Sequence, residues 1–267
     1  MRTLRELMSL EGRVALVTGG AGHIGGAVLQ ALAELGAATV VADREEGPCR
    51  DRAAELQAAF GQPSVGVASD LLDEGATRNL ARRACAWRGR LDVLVHCAAF
   101  VGTTGFPGWA EPFEKQSVAA WDAAMRVNLT AAFVLAQETR EQLAASGSGS
   151  IILVSSIYGL AGPDMRLYEG TPMHHPAAYG ASKAGLLQLV RYLATTMAPR
   201  VRVNAITPGG VWRQQPEVFC ERYSARAPLG RLATEEDFKG ATAFLASDLS
   251  AYVTGHNLVV DGGWTAW

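Results

Sequence analysis

The 267-residue sequence predicts a doubly wound α/β fold, with a parallel seven-stranded sheet and helices on both faces, in a single domain. Two patterns carry this expectation. Short, β-branched apolar runs bounded by Gly, Pro or Asp recur along the chain, and Ala- and Leu-rich segments of helical spacing lie between them. Such alternation implies right-handed crossovers and therefore a parallel sheet. The sequence has no repeat, low-complexity tract or long linker, so one domain spans 1–267, with one half at about 10–100 and the other at about 101–267.

In order, "RVALVTG" (13–19) is the first strand, followed by a Gly-rich turn and the helical "GGAVLQALAELG" (25–36). "ATVVAD" (38–43) leads to the helix "CRDRAAELQAAFG" (49–61), and "SVGVASD" (64–70) to "LLDEGATRNLARRACAW" (71–87). The fourth strand, "LDVLVHCAA" (91–99), precedes a long helix, "WDAAMRVNLTAAFVLAQETREQLAAS" (121–146). "SIILVSS" (150–156), the helix "AAYGASKAGLLQLVRYLATTMA" (177–198), "VRVNAITPG" (201–209), the helix "TEEDFKGATAFLAS" (234–247) and "HNLVVDGG" (256–263) complete the pattern. Irregular segments at about 100–120, 160–177 and 211–230 each follow a strand's carboxyl end, where such folds bind ligands.

Composition narrows the function classes. Hydrophobic residues at 49% and charged residues at 19% describe an ordinary globular protein, and a net charge of −2 offers no basic footprint for nucleic acid. The opening "MRTLRELMSLEGR" alternates charge with Leu, unlike a leader, and the apolar runs are expected to be strand-length, so no membrane association is expected. Cys49, Cys85, Cys97 and Cys220 lie far apart without a Cys-x-x-Cys pair, which argues against a zinc site or disulfide framework and fits the cytoplasm. Small molecules are the expected partners.

The first strand, turn and helix start, "VALVTGGAGHIGG", bring Gly19, Gly22, His23, Ile24 and Gly25 to a helix N-terminus, where free N–H groups favour a pyrophosphate. Asp43 ends the next strand eighteen positions past Gly25, where its carboxylate can accept from ribose hydroxyls and repel a 2'-phosphate. The pair points to a Rossmann dinucleotide site for NAD rather than NADP, although Arg44 offsets part of the repulsion. Asp70 can accept from an adenine amino group or cap the following helix.

Tyr179 and Lys183 share one helix face at i, i+4, so the ammonium is expected to lower the phenol pKa and make Tyr179 an acid/base. Ser156, at the end of a strand, can hydrogen-bond the reacting oxygen.

In chain order, "TGGAGHIG", "VVAD", "ASD", "VNLTAAF", "ILVSSIYG", "YGASK", "VRVNAITPG" and "TGHNLVVDGG" resemble the short-chain dehydrogenase/reductase family from about Leu10 to Trp267. The resemblance implies an oxidoreductase with a tetrad of Asn128, Ser156, Tyr179 and Lys183. In it, Tyr179 is the acid/base, Ser156 positions the substrate oxygen, Lys183 holds the cofactor ribose, and Asn128 helps hold a water that relays protons. It also implies cofactor contacts at Ala98, Pro208, Gly209 and Val211, and a homotetramer whose C-terminal tail approaches a neighbour's cleft. Excess apolar surface on the helices at 121–146 and 177–198 points the same way.

Three positions depart from the family pattern: His23 replaces a glycine, "HCAA" (96–99) replaces Asn-Asn-Ala-Gly, and Arg213 replaces a Thr. His96 is expected to take over a side chain that ties the sheet together.

The segment from Ser156 to Tyr179 leaves room for an added loop, and with 210–230 it supplies donors, cations and aromatics. Tyr158, Arg166, His174, Trp212 and Arg213 are the substrate candidates, and a polyhydroxylated or phosphorylated substrate fits them better than a greasy one. His174 and His175 lack the pattern of a metal site. "GGAGHIG", "SSIYG", "RLYEGT" and "VVDGGWTAW" resemble bacterial family members of surface-sugar and flagellin-glycan biosynthesis, with sugar and gluconate dehydrogenases as competitors. The alternatives are an NADP(H)-dependent ketoacyl or small-ketone reductase, and a non-catalytic NAD(H)-sensing regulator of the same fold.

Overall fold

The computed structural model describes residues 1–102 and 104–267; Thr103, inside the irregular segment at 100–120, lies outside the described residues. Strands β1 Val14–Thr18, β2 Ala38–Asp43, β3 Ser64–Ala68, β4 Val93–His96, β5 Gly149–Val154, β6 Val201–Pro208 and β7 Asn257–Val260 form one sheet in the order β3-β2-β1-β4-β5-β6-β7. Every pairing is parallel, with Leu16 opposite Val40 on one side and Leu94 on the other.

Alternation along the strands divides the core. Val14, Leu16, Leu94, Ile151 and Leu153 face the layer of α4 Glu74–Trp87, α5 Val118–Met125, α6 Ala131–Ala145 and α7 Ala177–Met197. Ala15, Val17, Val93, Val95, Ile152 and Val154 face α2 His23–Glu34, α3 Glu46–Phe60 and α9 Lys239–Ala246. Both sheet faces are therefore covered, which is why the strands read as continuous apolar runs.

Two short helices escaped the sequence pattern. The first, α1 Leu4–Met8, is held by a capping box between Thr3 and Glu6 and buries no residue. The second, α8 Glu217–Arg226, lies in the segment expected to be irregular and buries only Phe219 and Tyr223. Neither has a long enough apolar stripe to announce itself.

The long helix also differs from expectation. It runs from Val118 to Ala145, through a π turn at Arg126–Thr130 that separates α5 from α6. By length and composition this stretch is apolar enough to cross a membrane, and half of its apolar window is buried inside the fold. Alanines dispersed around a helix reach that hydropathy without forming a conspicuous run.

A third cluster sits at the carboxyl end of the sheet. Ile157, Leu167, Tyr168, Phe219, Tyr223, Ala227, Leu232 and Trp264 pack together, so the segments after β5 and β6 share a small core. Trp264 is fully buried there, stacked on Tyr223 with the Arg226 guanidinium 4.2 Å above its ring. This part of the C-terminal tail thus completes the wall of its own chain.

Candidate active site

The Gly-rich turn is shaped by close approach of backbone to backbone. A Cβ on Gly25 would stand 2.1 Å from the Gly19 carbonyl oxygen, and one on Gly19, whose φ is +68°, would stand 2.7 Å from Ala98 N. The N-cap Gly22 has no side chain to cap α2, leaving first-turn N–H groups open to an anion. A dinucleotide pyrophosphate fits this cradle.

His23, at the position of the missing glycine, is the first residue of α2, outside the left-handed region. Its exposed side chain turns away to Glu235 at 3.4 Å. The replacement therefore leaves the backbone path intact. Ile24 packs at the edge of the core behind the turn.

Asp43 closes β2, with Oδ2 accepting from Ala21 N at 3.1 Å and Oδ1 from Arg44 N at 2.8 Å. The carboxylate is thus fixed against the Gly-rich turn with lone pairs to spare for ribose hydroxyls. Arg44 is exposed, and its guanidinium pairs with Glu45 at 3.4 Å. Asp70 does not cap α4. Asp73 does so through Ala76 N, while Asp70 closes its own turn by accepting from Leu72 N at 2.9 Å.

The Asn128 side chain emerges from the π turn and is fully buried. Oδ1 accepts from Phe100 N at 2.7 Å, and Nδ2 donates to Ser182 Oγ at 2.9 Å. It joins the segment after β4 to α7, one residue before Lys183. His96 ends β4, and its Nδ1 shares a hydrogen bond with Thr18 Oγ1 at 2.9 Å, tying β4 to β1 as the sequence led one to expect. Burial, reinforced by the positive charge of Lys183, pushes the His96 pKa down to about 3.

Ser156 follows β5 and caps the short turn Ile157–Gly159, its Oγ accepting from Tyr158 N at 3.2 Å. With that lone pair engaged, the hydroxyl proton can point to the Tyr179 oxygen or turn to a substrate oxygen in its place. Lys183 is almost wholly buried, and its Nζ donates to the Val154 carbonyl at 2.8 Å. Burial lowers its pKa to about 8. Tyr179 differs from expectation: burial raises its phenol pKa, opposed by a hydrogen bond from Ser156. The Lys183 ammonium, 5.8 Å from the phenol ring centroid, is turned toward Val154. Sharing a helix face placed the two groups together without aiming one charge at the other.

Pro208 ends β6, and Gly209 N donates to the Val260 carbonyl at 2.9 Å. Val211 then forms an isolated bridge with Ala233, fixing the turn beside the Gly-rich loop.

The substrate candidates separate in space. Tyr158 lies beside Tyr179, and its hydroxyl meets that of Tyr168 at 2.7 Å. His175, rather than His174, reaches the site, with its ring 5.8 Å from that of Tyr179 and 4.2 Å from that of Tyr158. Chain direction decides between the neighbours, because His175 immediately precedes Pro176, the N-cap of α7. Arg166 is largely exposed and bonded to Asp164, whose carboxyl pKa it lowers to about 2. Trp212 is 54% exposed. Arg213 pairs with Glu235 at 2.9 Å, the carboxylate that also meets His23.

Gln116 was missed in the sequence. Its Nε2 donates to the His175 carbonyl at 3.2 Å and its Oε1 accepts from Ala177 N at 2.9 Å, clamping the chain on both sides of Pro176. A lone Gln in a loop gives no periodic or compositional signal.

Comparisons with known proteins find relatives over almost the whole chain. A family model described as enoyl-(acyl carrier protein) reductase matches residues 19–265. The chain is similar to cis-4-hydroxycyclohexanecarboxylate dehydrogenase of Sinomonas cyclohexanicum, with 38% identity over 95% of this chain and 97% of the relative. It is also similar to L-rhamnose 1-dehydrogenase (NAD(P)(+)) of Sphingomonas sp. strain SKA58, with 32% identity over 95% and 96%. Among solved structures, the NADPH-dependent 3-quinuclidinone reductase from Rhodotorula rubra superposes with a TM-score of 0.87 at 29% identity, covering 100% of this chain and 96% of that one.

Proposed function

The chain belongs to the short-chain dehydrogenase/reductase family and is an oxidoreductase acting on CH–OH groups, and from that premise we propose that it uses NAD(H) to interconvert a secondary alcohol and a ketone on a compact, polar, sugar-like substrate. The observation that carries this reading is the convergence of Ser156, Tyr179 and Lys183 at the end of β5, beside the Gly19–Gly25 cradle. When bound, the nicotinamide supplies the hydride acceptor or donor.

The chain's own residues do the rest. Ser156 Oγ donates to the reacting oxygen and holds it in reach of Tyr179. Tyr179 takes the alcohol proton in oxidation as the phenolate, becoming the phenol, and gives that proton to the carbonyl oxygen in reduction. Lys183 holds its charge at the base of the site, where a ribose hydroxyl can replace the Val154 carbonyl as partner. Asn128 fixes the register between the floor of the cleft and α7.

Asp43 supports NAD(H), because a carboxylate fixed at the end of β2 would accept from ribose hydroxyls and repel a 2'-phosphate there. An NADP(H)-dependent reductase is the second reading, favoured by the NADPH-dependent R. rubra relative. The cations expected to bind a phosphorylated or nucleotide-linked substrate, Arg166 and Arg213, are engaged by Asp164 and Glu235, which supports the sugar-like alternative. A non-catalytic sensor has no counterpart among these relatives, which are named as dehydrogenases and a reductase.

Exposed Val118, Trp121, Phe133 and Tyr192 on α5, α6 and α7 support association into a homotetramer. Four free cysteines support a reducing, cytoplasmic setting.

The test is fluorescence titration with NADH and NADPH, followed by nicotinamide absorbance with a panel of cyclic alcohols, sugars and sugar phosphates. Preference for NADH with turnover on an unphosphorylated alcohol is expected, and Tyr179→Phe abolishes turnover while keeping NADH binding. Equal turnover in that variant sinks the acid/base assignment.

A further inference from the structure

One wall of the cleft carries polar atoms that the proposed reaction leaves unused. His175 meets Tyr158 edge-to-face at 4.2 Å and lies 6.1 Å from Tyr168 and 5.8 Å from Tyr179, centroid to centroid. Gln116 clamps its peptide, so the imidazole is held in place. Among the described residues neither ring nitrogen has a hydrogen-bond partner, and Nε2 is fully shielded whereas Nδ1 is not. Burial lowers the His175 pKa to about 4, so the ring is neutral in ordinary working conditions.

A neutral imidazole carries one proton. The shielded Nε2 lies among aromatic rings, whose negative faces accept an N–H, and a proton placed there leaves the Nδ1 lone pair as an acceptor. Alongside it, the Tyr158 and Tyr168 hydroxyls bond to each other, which leaves one proton and several lone pairs for a ligand. The wall is therefore uncharged and able both to accept and to donate.

Resting on the oxidoreductase reading above, we propose that His175 is a specificity-determining residue. With the Tyr158–Tyr168 hydroxyl pair it receives a second hydroxyl of the substrate, on the carbon next to the one that reacts at Tyr179. The substrate class is a vicinal diol on a small ring, and the second hydroxyl serves as a donor to Nδ1.

The test uses the full chain saturated with NADH, titrated by fluorescence with trans-1,2-cyclohexanediol, cyclohexanol and trans-2-methoxycyclohexanol. The diol is expected to bind about tenfold more tightly than either mono-alcohol, as one well-placed hydrogen bond gives. The methoxy compound has no second proton to donate. His175→Phe keeps a flat ring against Tyr158 and is expected to bind all three alike with unchanged NADH affinity, while His175→Asn restores part of the preference. A wild-type protein that binds NADH but takes the three probes equally, or none of them, overturns the assignment of His175; turnover of cyclohexanol with NAD in that protein would leave the oxidoreductase reading standing. Retention of the diol preference by His175→Phe overturns it as well. Failure to bind either NADH or NADPH overturns both readings, since the wall then borders no reacting carbon.

Discussion

The Lys183 ammonium donates to the Val154 carbonyl at 2.8 Å, so the cation beneath Tyr179 is anchored to the end of β5. Tyr179 itself stands under the opposing influences of burial, which raises its pKa, and a hydrogen bond from Ser156, which lowers it.

In the proposed mechanism Lys183 serves both proton transfer and cofactor affinity. Lys183→Met is expected to lower kcat/KM for alcohol oxidation by about a hundredfold or more, a typical scale for positioned acid/base groups. The acid limb of the pH–rate profile for oxidation, where the base gains its proton, should move to higher pH, and NADH binding should weaken. An unchanged profile with unchanged NADH affinity would remove Lys183 from the mechanism.

Asp43 offers a separate test at the other end of the cleft. Its two oxygens are held by Ala21 N and Arg44 N, so Asp43→Asn keeps the shape and removes the charge. NADH affinity is expected to fall about tenfold to a hundredfold, the range for hydrogen bonds to a charged group, and NADPH affinity to rise. Loss of both affinities together would point to a collapsed turn instead.

His96 gives stability a pH dependence. Its folded pKa is depressed to about 3 from an ordinary 6.5, so its contribution is complete above pH 6.5 and is lost as pH falls toward 3. Within that window the unfolded chain binds the extra proton, and each pH unit costs about 1.4 kcal/mol. Urea unfolding at pH 7 and pH 5 should show this loss, and His96→Asn should flatten the slope whatever its absolute stability. His175, depressed to about 4, adds to the slope in the same direction.

Self-association is testable through side chains remote from the cleft. Trp121 is 41% exposed and Phe133 39% exposed, so Trp121→Glu and Phe133→Glu should perturb little within one chain. Sedimentation velocity is expected to show a tetramer for the wild type and smaller species for the variants. A wild-type monomer would refute the assembly.

The sequence by itself determined the seven strands and the longer helices between them, because parallel strands covered on both faces and Gly-rich turns leave strong local patterns, and its resemblance to a family named Asn128, Ser156, Tyr179 and Lys183 for the proposed tetrad. It also placed Asp43 at the end of a strand and anticipated the sheet-tying role of His96, since each sits at a strand end whose neighbours the fold dictates. Only the tertiary structure decided what the charged loop residues do. Arg166 and Arg213 looked available for an anion, but Arg213 meets the distant Glu235, and Arg166 pairs with nearby Asp164, which the distant Arg226 also meets. It likewise chose His175 over His174 and aimed Lys183 at Val154, because the direction of a side chain in a loop or across a buried helix face depends on packing between distant segments, which spacing along the chain does not encode.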